Sequence, residues 1–358
     1  MIISLQIEKV RPKRFIIIAI CLLLITLLGQ CTPVPDVDLP ESGELIIYTN
    51  LDEEPFNTYL AIFKSQYPDV EVTAVRNSTG AIAAQLLAER DDPQADVVWA
   101  LSATIQNLLE WNDLIEPYAP AGLERISASF RDTSTPPYWV GIGASMSAVC
   151  VNTKLLADLN LPTPEKWADL IDPVYKDQVM MPSPVTSGTG YLIVEGWLEI
   201  DGENKGWEYL DALNENIRLY TRSSSGSCAM ATSGEIAIGI ANDQIAVEAA
   251  AANPSVSVVF PSEGSGWDME ANSLVRKDVI SPTALLFLDW AISDSAMKAY
   301  GKDRSILSVK IDGFQPPSGF PAEPLRQLLD KDFPWASANR DRIISEWLDR
   351  YQDKMEVE

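Results

Sequence analysis

One segment decides the fold: Gln178-Val-Met-Met-Pro-Ser-Pro-Val-Thr-Ser-Gly-Thr-Gly190, which continues into Tyr191-Leu-Ile-Val-Glu-Gly-Trp-Leu198. Its short apolar run closed by Pro182 predicts a strand, the stretch after it a turn, and the apolar spacing from Tyr191 onward a helix. A helix that begins there points unpaired backbone N–H groups and a partial positive charge outward. Ser187, Thr189 and the glycines beside them would let an oxyanion approach closely. The segment therefore favours an anion site, with an ordinary helix cap as the alternative.

Strands and helices alternate on the amino-terminal side of this segment. The sequence predicts strands at 44–49, 70–75 and 95–100, and helices at 55–67, 81–90 and 105–111. This alternation is typical of an α/β fold with a mostly parallel sheet flanked by helices. Beyond residue 43 the chain holds about 315 residues, more than one core usually carries, so two lobes are expected.

Small hydroxyl-bearing loops follow the three predicted strands. They read Thr49-Asn50, Asn77-Ser-Thr-Gly80 and Leu101-Ser-Ala-Thr104. Open parallel sheets bind ligands beyond the carboxyl ends of their strands. One such loop would be only a helix cap, but the three loops together with 187–190 predict a neutral, donor-rich oxyanion site.

Further along the chain, Thr163-Pro-Glu-Lys-Trp-Ala-Asp-Leu170 predicts a capped helix with proline in its first turn. The serine run from Tyr220 to Cys228 is expected to be a loop. Aromatic and glycine-bearing stretches at 138–143 and 261–270 suit strands that leave the first lobe and return to it. Amphipathic helices are expected within 282–300 and 334–354.

The amino-terminal 30 residues have the features of an export signal. Basic residues from Lys9 to Arg14 precede an apolar run, Phe15 to Leu28, which is shorter than the roughly 20 residues that a spanning helix needs. Leu28-Gly29-Gln30-Cys31 looks like a bacterial lipobox, although small residues normally occupy the place of Gln30. We expect a signal peptide at 1–30, lipidation at Cys31 and a proline-rich tether at 31–43. Ordinary cleavage and no cleavage are the alternatives.

Charge and composition exclude several classes of function. Residues 1–30 hold four of the 27 basic and one of the 51 acidic residues, so the remainder carries a net charge of about −27, which argues against nucleic-acid binding. The chain has no histidine, which removes the Ser-His-Asp and Cys-His arrangements and the common zinc sites. Cys150 and Cys228 are either a disulfide or two buried thiols.

Several motifs resemble a known family. Thr163-Pro-Glu-Lys-Trp-Ala-Asp-Leu, Asp172-Pro-Val-Tyr-Lys-Asp-Gln-Val-Met-Met-Pro and Thr186-Ser-Gly-Thr-Gly are similar to the solute-binding proteins of bacterial ABC importers, in the type II class that includes ferric-iron binders. The resemblance implies two lobes joined by crossing strands, a ligand trapped between them, delivery to a membrane permease and no catalysis. It places the first lobe at 44–142 and 267–358, and the second lobe at 143–266.

A narrower resemblance is to the 2-aminoethylphosphonate-binding branch. Arg76-Asn-Ser-Thr-Gly, Gly264-Ser-Gly-Trp-Asp-Met-Glu-Ala and Phe333-Pro-Trp-Ala-Ser-Ala-Asn-Arg-Asp-Arg are similar to segments of those proteins. The iron branch places two adjacent tyrosines where this chain has Asn242-Asp243-Gln244, so ferric binding is disfavoured. The phosphonate branch tends to carry an acidic-aromatic-basic run there, and its absence leaves the exact ligand open.

The sequence thus predicts a non-enzymatic protein that binds a small anionic or zwitterionic phosphonate, with 2-aminoethylphosphonate foremost and polyamine or ferric iron as alternatives. A phosphonate hydrolase is the alternative from another class. The predicted ligand-binding residues are Asn50, Ser78, Thr79, Gly80, Ser102, Ser187, Gly188, Thr189, Gly190, Ser223, Asp243, Trp267, Asp268 and Glu270. An ammonium on the ligand needs a carboxylate, for which Asp243, Asp268 and Glu270 are the candidates. Arg222 could add charge to the anion. We expect no metal or cofactor, a monomer, and lipid anchoring on the extracytoplasmic side.

Overall fold

The computed structural model describes residues 42–200 and 202–356. Its strands are β1 (Ser42–Thr49), β2 (Asp69–Arg76), β3 (Val97–Ser102), β4 (Ile115–Glu116), β5 (Trp139–Asn152), β6 (Val179–Pro182), β7 (Ile217–Thr221), β8 (Ile238–Asn242), β9 (Val256–Val259), β10 (Trp267–Val275) and β11 (Ile306–Leu307). Its α-helices are α1 (Glu53–Gln66), α2 (Thr79–Ala88), α3 (Ala103–Trp111), α4 (Thr153–Leu159), α5 (Gly188–Ile200), α6 (Glu203–Asn216), α7 (Ser224–Ser233), α8 (Asp243–Ala252), α9 (Pro282–Ala291), α10 (Asp294–Tyr300) and α11 (Phe333–Tyr351).

The first lobe is built on a sheet with strand order β2-β1-β3-β10-β5. β1 pairs in parallel with both β2 and β3, whereas β10 runs antiparallel to β3 and to β5. The helices α1, α9 and α10 cover one face through a core of aromatic side chains. Trp99 lies at its centre, with the rings of Phe287 and Trp290 5.1 Å and 6.1 Å away.

The second lobe is built on a sheet with strand order β5-β8-β6-β7. β6 pairs in parallel with β7 and β8, and β5 is antiparallel to β8 and β9. α5 and α6 pack on this sheet, where the Trp197 ring lies 5.4 Å from Trp167 and 4.8 Å from Tyr209. The two-lobe α/β architecture with parallel strands is confirmed.

Two elements connect the lobes. β5 is long enough to belong to both sheets, because its first half pairs with β10 and its second half with β8 and β9. α11 packs on both lobes: Ser337 Oγ donates to the Thr104 carbonyl of α3, while Trp347 stacks edge-on against Tyr220 of β7 at 4.7 Å. The lobe boundaries at 44–142, 143–266 and 267–358 stay a prediction.

Two predicted elements differ in the structure. The helix expected at 163–170 is only a short 3-10 helix, Trp167–Ile171, because the Asp169 carboxylate accepts the amides of Glu165 and Lys166 and so turns the chain before it. The serine run expected to be a loop starts α7, whose amino-terminal end is capped by Ser223.

The predicted signal peptide at 1–30, the lipidation site Cys31 and most of the tether at 31–43 lie outside the described residues. Across residues 42–200 and 202–356, no helix combines the length and apolar character that crossing a membrane requires. Cys150 of β5 and Cys228 of α7 form a disulfide with a Cα–Cα distance of 5.5 Å, so the disulfide alternative holds in the structure.

Candidate functional site

A cavity of about 370 Å³ lies where the two lobes face each other, and we call it the cleft. Both lobes line it, mostly with small polar residues at the starts of helices. The lining residues are Asn50, Leu51, Asp52, Arg76, Asn77, Ser78, Thr79, Ala100, Ser102, Ser145, Thr186, Ser187, Gly188, Thr189, Leu192, Arg222, Ser223, Ser224, Ser225, Asn242, Ile245, Asp268, Met269 and Glu270.

The second lobe contributes the start of α5. The Ser187 hydroxyl accepts the Gly190 amide at 3.3 Å, and the Ser187 carbonyl accepts the Tyr191 amide. Ser187 therefore caps the helix, and the amides of Gly188 and Thr189 have no partner within the described chain. Gly190 is needed for packing, since a Cβ there would stand 2.5 Å from the Ser183 carbonyl carbon at the end of β6.

The first lobe contributes the start of α2. Ser78 caps it by accepting the Ala81 amide at 3.4 Å, which leaves the amides of Thr79 and Gly80 open in the region that the structure describes. Asn50, at the end of β1, donates its side-chain amide to Thr79 Oγ1 at 3.1 Å. The carboxyl ends of β1 and β2 therefore meet at one wall of the cleft.

A third helix start belongs to α7, also in the second lobe. Ser223 caps it by accepting the Gly226 amide at 3.2 Å, and the amides of Ser224 and Ser225 are left open among the described residues. Thr186 ties this end to the α5 turn, because its hydroxyl donates to the Arg222 carbonyl at 2.9 Å. Three helix starts from two lobes therefore present six open amides and their positive helix-dipole ends near one cavity.

A further helix start at the cleft, that of α3, is already occupied by a carboxylate. Asp268 of β10 accepts the Ala103 amide at 3.1 Å with its Oδ1, and Ser102 accepts the Ile105 amide. An internal carboxylate therefore neutralises this helix end. The loop after β3 lines the cleft as the sequence predicts. It presents fewer open amides to an anion than the loops before α2 and α5 do, because Asp268 already accepts the Ala103 amide.

Two acidic residues of the cleft, Glu270 and Asp268, lie beside buried cations. Glu270 accepts the Nε of Arg304, whose Nη1 donates to Tyr59 and Asp303. Burial works to lower the pKa of Arg304, but Glu270, Tyr59 and Asp303 raise it. The Arg304 guanidinium and the Glu270 carboxylate therefore form an ion pair.

The second cation is Lys331, in the loop before α11. Its Nζ lies against Glu195 of α5 and 4.0 Å from Asp268 Oδ2. Burial raises the pKa of the Glu195 carboxyl to about 8, against the opposing effect of Lys331. Burial also works to lower the pKa of Lys331, but Glu195 and Asp268 raise it.

Most of the predicted site residues meet at the cleft. Those that line it are Asn50, Ser78, Thr79, Ser102, Ser187, Gly188, Thr189, Ser223, Asp268 and Glu270. Four others do not line it: Gly80, Gly190, Asp243 and Trp267. Trp267 faces away, because its Nε1 donates to the Leu329 carbonyl at 2.7 Å and its ring packs on Phe333.

Asp243 is buried at the first position of α8, a helix of the second lobe. Burial raises the pKa of its carboxyl to about 7, against the opposing effect of the nearby backbone amides of Met146 and Gln244. Its Oδ1 has no hydrogen-bond partner in the described region. Asn242, the residue before it, lines the cleft in its place and caps α8 by accepting the Gln244 amide.

The sequence predictions missed several lining residues, including Thr186, Ser224, Ser225 and Asn242, and charged residues at the first-lobe wall. Arg76 pairs with Glu53 at 3.3 Å, and burial raises the pKa of nearby Asp52 although Arg76 lowers it. Two of these residues could have been predicted, because Arg76 directly precedes the predicted loop Asn77–Gly80 and Thr186 directly precedes Ser187.

In the described part of the chain, no group of three or more Cys, Asp or Glu side chains could hold a metal ion.

Comparison with known proteins relates this chain to bacterial extracellular and periplasmic binding proteins. The family model of bacterial extracellular solute-binding proteins matches residues 92–295. A Haemophilus influenzae protein without a described function is 29% identical over 314 residues, which are 86% of this chain and 90% of that protein. A Salmonella typhimurium protein, provisionally assigned as a 2-aminoethylphosphonate-binding periplasmic protein, is 23% identical over 204 residues, 55% of this chain and 56% of that protein.

Among solved structures, the periplasmic binding protein AfuA from Actinobacillus pleuropneumoniae, with exogenous fructose-6-phosphate bound, superposes with a TM-score of 0.80 at 27% identity. The superposition covers 87% of this chain and 99% of AfuA. The two-lobe fold expected from the resemblance and the relation to periplasmic binding proteins are both confirmed.

Proposed function

Since this chain belongs to the family of bacterial extracellular solute-binding proteins, we propose that it captures a small solute bearing a phosphate or phosphonate group in the cleft. It is a periplasmic solute-binding protein of ABC-type transport, and proteins of this kind bind a small ligand outside the cytoplasm and interact with a membrane permease. The relatives named above are periplasmic binding proteins, and the comparisons indicate no enzyme family.

The observation that carries the proposal is the meeting of α2, α5 and α7 at the cleft. A phosphoryl group has three acceptor oxygens, and the open amides of 79–80, 188–189 and 224–225 supply donors from both lobes. Charge-assisted hydrogen bonds contribute about 1.5 to 3 kcal/mol each. A handful of them would support micromolar binding, which corresponds to about −8 kcal/mol.

For the rest of the ligand we first propose 2-aminoethylphosphonate. The resemblance of the Arg76–Gly80 and Gly264–Ala271 segments to that branch supports this choice, as does the Salmonella typhimurium relative. The ammonium of such a ligand would face Glu270 or Asp268, which line the cleft. Both carboxylates already have a cationic neighbour, so they would have to serve two cations at once.

A sugar phosphate is the second candidate. A cavity of about 370 Å³ is large for a two-carbon phosphonate, and cation-bound carboxylates are suitable acceptors for neutral hydroxyl groups. The fructose-6-phosphate bound in AfuA supports this alternative. Ferric iron is a weaker proposal, because the described lining contains no tyrosine or histidine to bind a hard cation.

We propose that the ligand shifts an equilibrium between open and closed lobes, because its phosphoryl group is bound by helix ends from both. Small-angle scattering with and without ligand tests this step. The radius of gyration should fall at saturation, and an unchanged value would contradict closure.

Calorimetry against a matched panel tests the ligand class. The panel is 2-aminoethylphosphonate, fructose 6-phosphate, inorganic phosphate, ferric citrate, spermidine and taurine. We expect micromolar or tighter binding of one of the two organic phosphorus compounds. Tight spermidine or iron binding without heat from either of them would reject the proposal, and release of phosphate during incubation would favour a hydrolase instead.

Export and anchoring are part of the same proposal. We propose a signal peptide at 1–30, lipidation at Cys31 and the tether at 31–43, with the binding domain monomeric. Cys31→Ser expressed in a bacterial host should move the protein from the membrane fraction to the soluble extracytoplasmic fraction. Equal membrane retention of both forms would reject the lipid anchor.

A further inference from the structure

Three arginine or lysine side chains with little solvent exposure lie near the cleft, and two of them are neutralised. Arg304 and Lys331 each have a side chain that is 2% exposed and a carboxylate beside it, that of Glu270 for Arg304 and that of Glu195 for Lys331. Arg340 of α11 differs. Its side chain is 16% exposed, and its ion-pair partner Asp341, at 3.8 Å, is 93% exposed and screened by solvent.

Arg340 is placed at the starts of two of the helices that line the cleft. Its Nη2 lies 3.9 Å from the position that a Cβ on Gly80 of α2 would take, and its guanidinium carbon lies 5.5 Å from the ring centre of Tyr191 of α5. Neither α2 nor α5 carries an acidic residue in its first turn. The guanidinium therefore adds its charge to two positive helix ends.

This arrangement is unfavourable without an anion. Burial lowers the pKa of Arg340, and the opposing effects come only from Tyr191 and Asp341. Within the described chain the guanidinium makes no hydrogen bond to a protein acceptor. A charge in such surroundings is costly unless a partner of opposite sign is supplied.

We infer that Arg340 is a specificity-determining residue: its charge makes the cleft prefer a doubly charged phosphoryl group to a singly charged oxyanion of the same shape. The inference rests on the proposed function, since it concerns the anion bound at the starts of α2 and α5. Arg340 does not line the cleft, so it acts through space and through the position of these two helix ends.

The test compares phosphorus and sulfur versions of the same ligand. The probes are 2-aminoethylphosphonate with taurine, and fructose 6-phosphate with the corresponding sulfate ester. In Arg340→Gln, the affinity for the phosphorus ligand divided by the affinity for its sulfur counterpart should fall about tenfold. This ratio is measured with the pair whose phosphorus member the wild type binds. Arg340→Lys keeps the charge and should stay within about threefold of wild type. Arg342→Gln, on the same helix but in a half-exposed pair with Glu203, is the matched control and should change nothing.

A pH profile separates charge from packing. The second proton of a phosphate ester leaves near pH 6, so wild-type affinity for fructose 6-phosphate should rise about tenfold between pH 5 and pH 7, and Arg340→Gln should flatten this rise. Equal weakening of both members of a pair, or an unchanged ratio, overturns the inference.

The remaining outcomes are also decisive. If the wild type binds neither phosphorus compound, the proposed function fails and this inference fails with it. If it binds one and Arg340→Gln keeps the full preference, only the inference fails. Should Arg340→Gln not fold, as judged by circular dichroism, the Arg340→Lys ratio and the wild-type pH profile decide, and a flat wild-type profile overturns the inference.

Discussion

Thr79 of the first lobe and Gly188 of the second face each other so closely that a Cβ on residue 188 would stand 2.7 Å from Thr79 Oγ1. Each residue is the first of its helix, so the starts of α2 and α5 meet beside the cleft. The glycine is thus required by the approach of the lobes, and not by its own backbone conformation. Closure of the two lobes and access to their open amides depend on the same contact.

Gly188→Ala should therefore weaken ligand binding and leave folding intact. The added methyl group meets a short, β-branched side chain that cannot move far, so the lobes should stay slightly apart. We expect an affinity loss of about tenfold in calorimetry, with the unfolding temperature of the free protein unchanged.

Gly190→Ala is the matched comparison, two residues along the same helix. Its Cβ would meet the backbone of Ser183 and Pro182 within the second lobe, so it should lower the unfolding temperature whether or not ligand is present. If Gly188→Ala destabilises the free protein as much as Gly190→Ala does, the contact with Thr79 is not specific to closure.

Thr189→Val should lower affinity for the phosphorylated ligand by about tenfold, because it removes a lining hydroxyl at an open helix start. Ser102→Ala removes a lining hydroxyl at the start of α3, where Asp268 already accepts the Ala103 amide. It should cost about 1 kcal/mol of stability through the lost cap and leave affinity nearly unchanged. Calorimetry and urea unfolding of both variants check the difference, and similar affinity losses would contradict it.

Local sequence patterns predicted most of the fold. The strands β1, β2 and β3 and the helices after them lie within a few residues of their expected places, because apolar spacing and turn residues are local signals. The prediction of a loop for the serine run at the start of α7 was wrong because the interactions that hold this helix are not visible in the local sequence pattern. Serine is a weak helix former, and this helix is held by the Ser223 cap and by burial of Ser227, Cys228 and Ala231 against the sheet.

The composition of the cleft was predictable in part and its electrostatics were not. Hydroxyl loops after strands are visible in sequence, so the sequence predicts Ser78, Ser187 and Thr189 as residues of the cleft, which they line. The bond from Ala103 to Asp268 joins residues 165 positions apart, and the contact of Lys331 with Glu195 spans 136. Pairings of that separation depend on the completed fold, so the sequence could not show which acids are already neutralised.

Lys331→Met should destabilise the protein by about 1 to 3 kcal/mol at neutral pH, because it removes the hydrogen-bond partner of the buried Glu195 carboxyl and the cation beside Asp268. Urea unfolding at neutral pH measures the change. The exposed Lys310→Met is the control and should stay within about 0.5 kcal/mol of wild type. Adding Glu195→Gln to Lys331→Met should recover part of the loss, and no recovery would show that the lysine acts through packing alone.

Asp243 makes stability depend on pH. Burial raises the pKa of its folded carboxyl to about 7, whereas in the unfolded chain it titrates near 4. Between about pH 4 and 7 the folded state holds a proton that the unfolded state has lost. The free energy of unfolding should therefore decrease as the pH rises through this window, by at most about 1.4 kcal/mol per unit.

Asp243→Asn cannot titrate at this position, so it isolates the effect from the other charged groups. The nearby Glu270 and Arg304 and the amides of Met146 and Gln244 are unchanged in the variant. The stability of wild type relative to Asp243→Asn should be highest at pH 4 and should fall toward pH 7, as measured by urea unfolding at four pH values. A constant difference from pH 4 to pH 8 would mean that the carboxyl is ionised throughout, stabilised by the two amides and Arg304 against the cost of its burial.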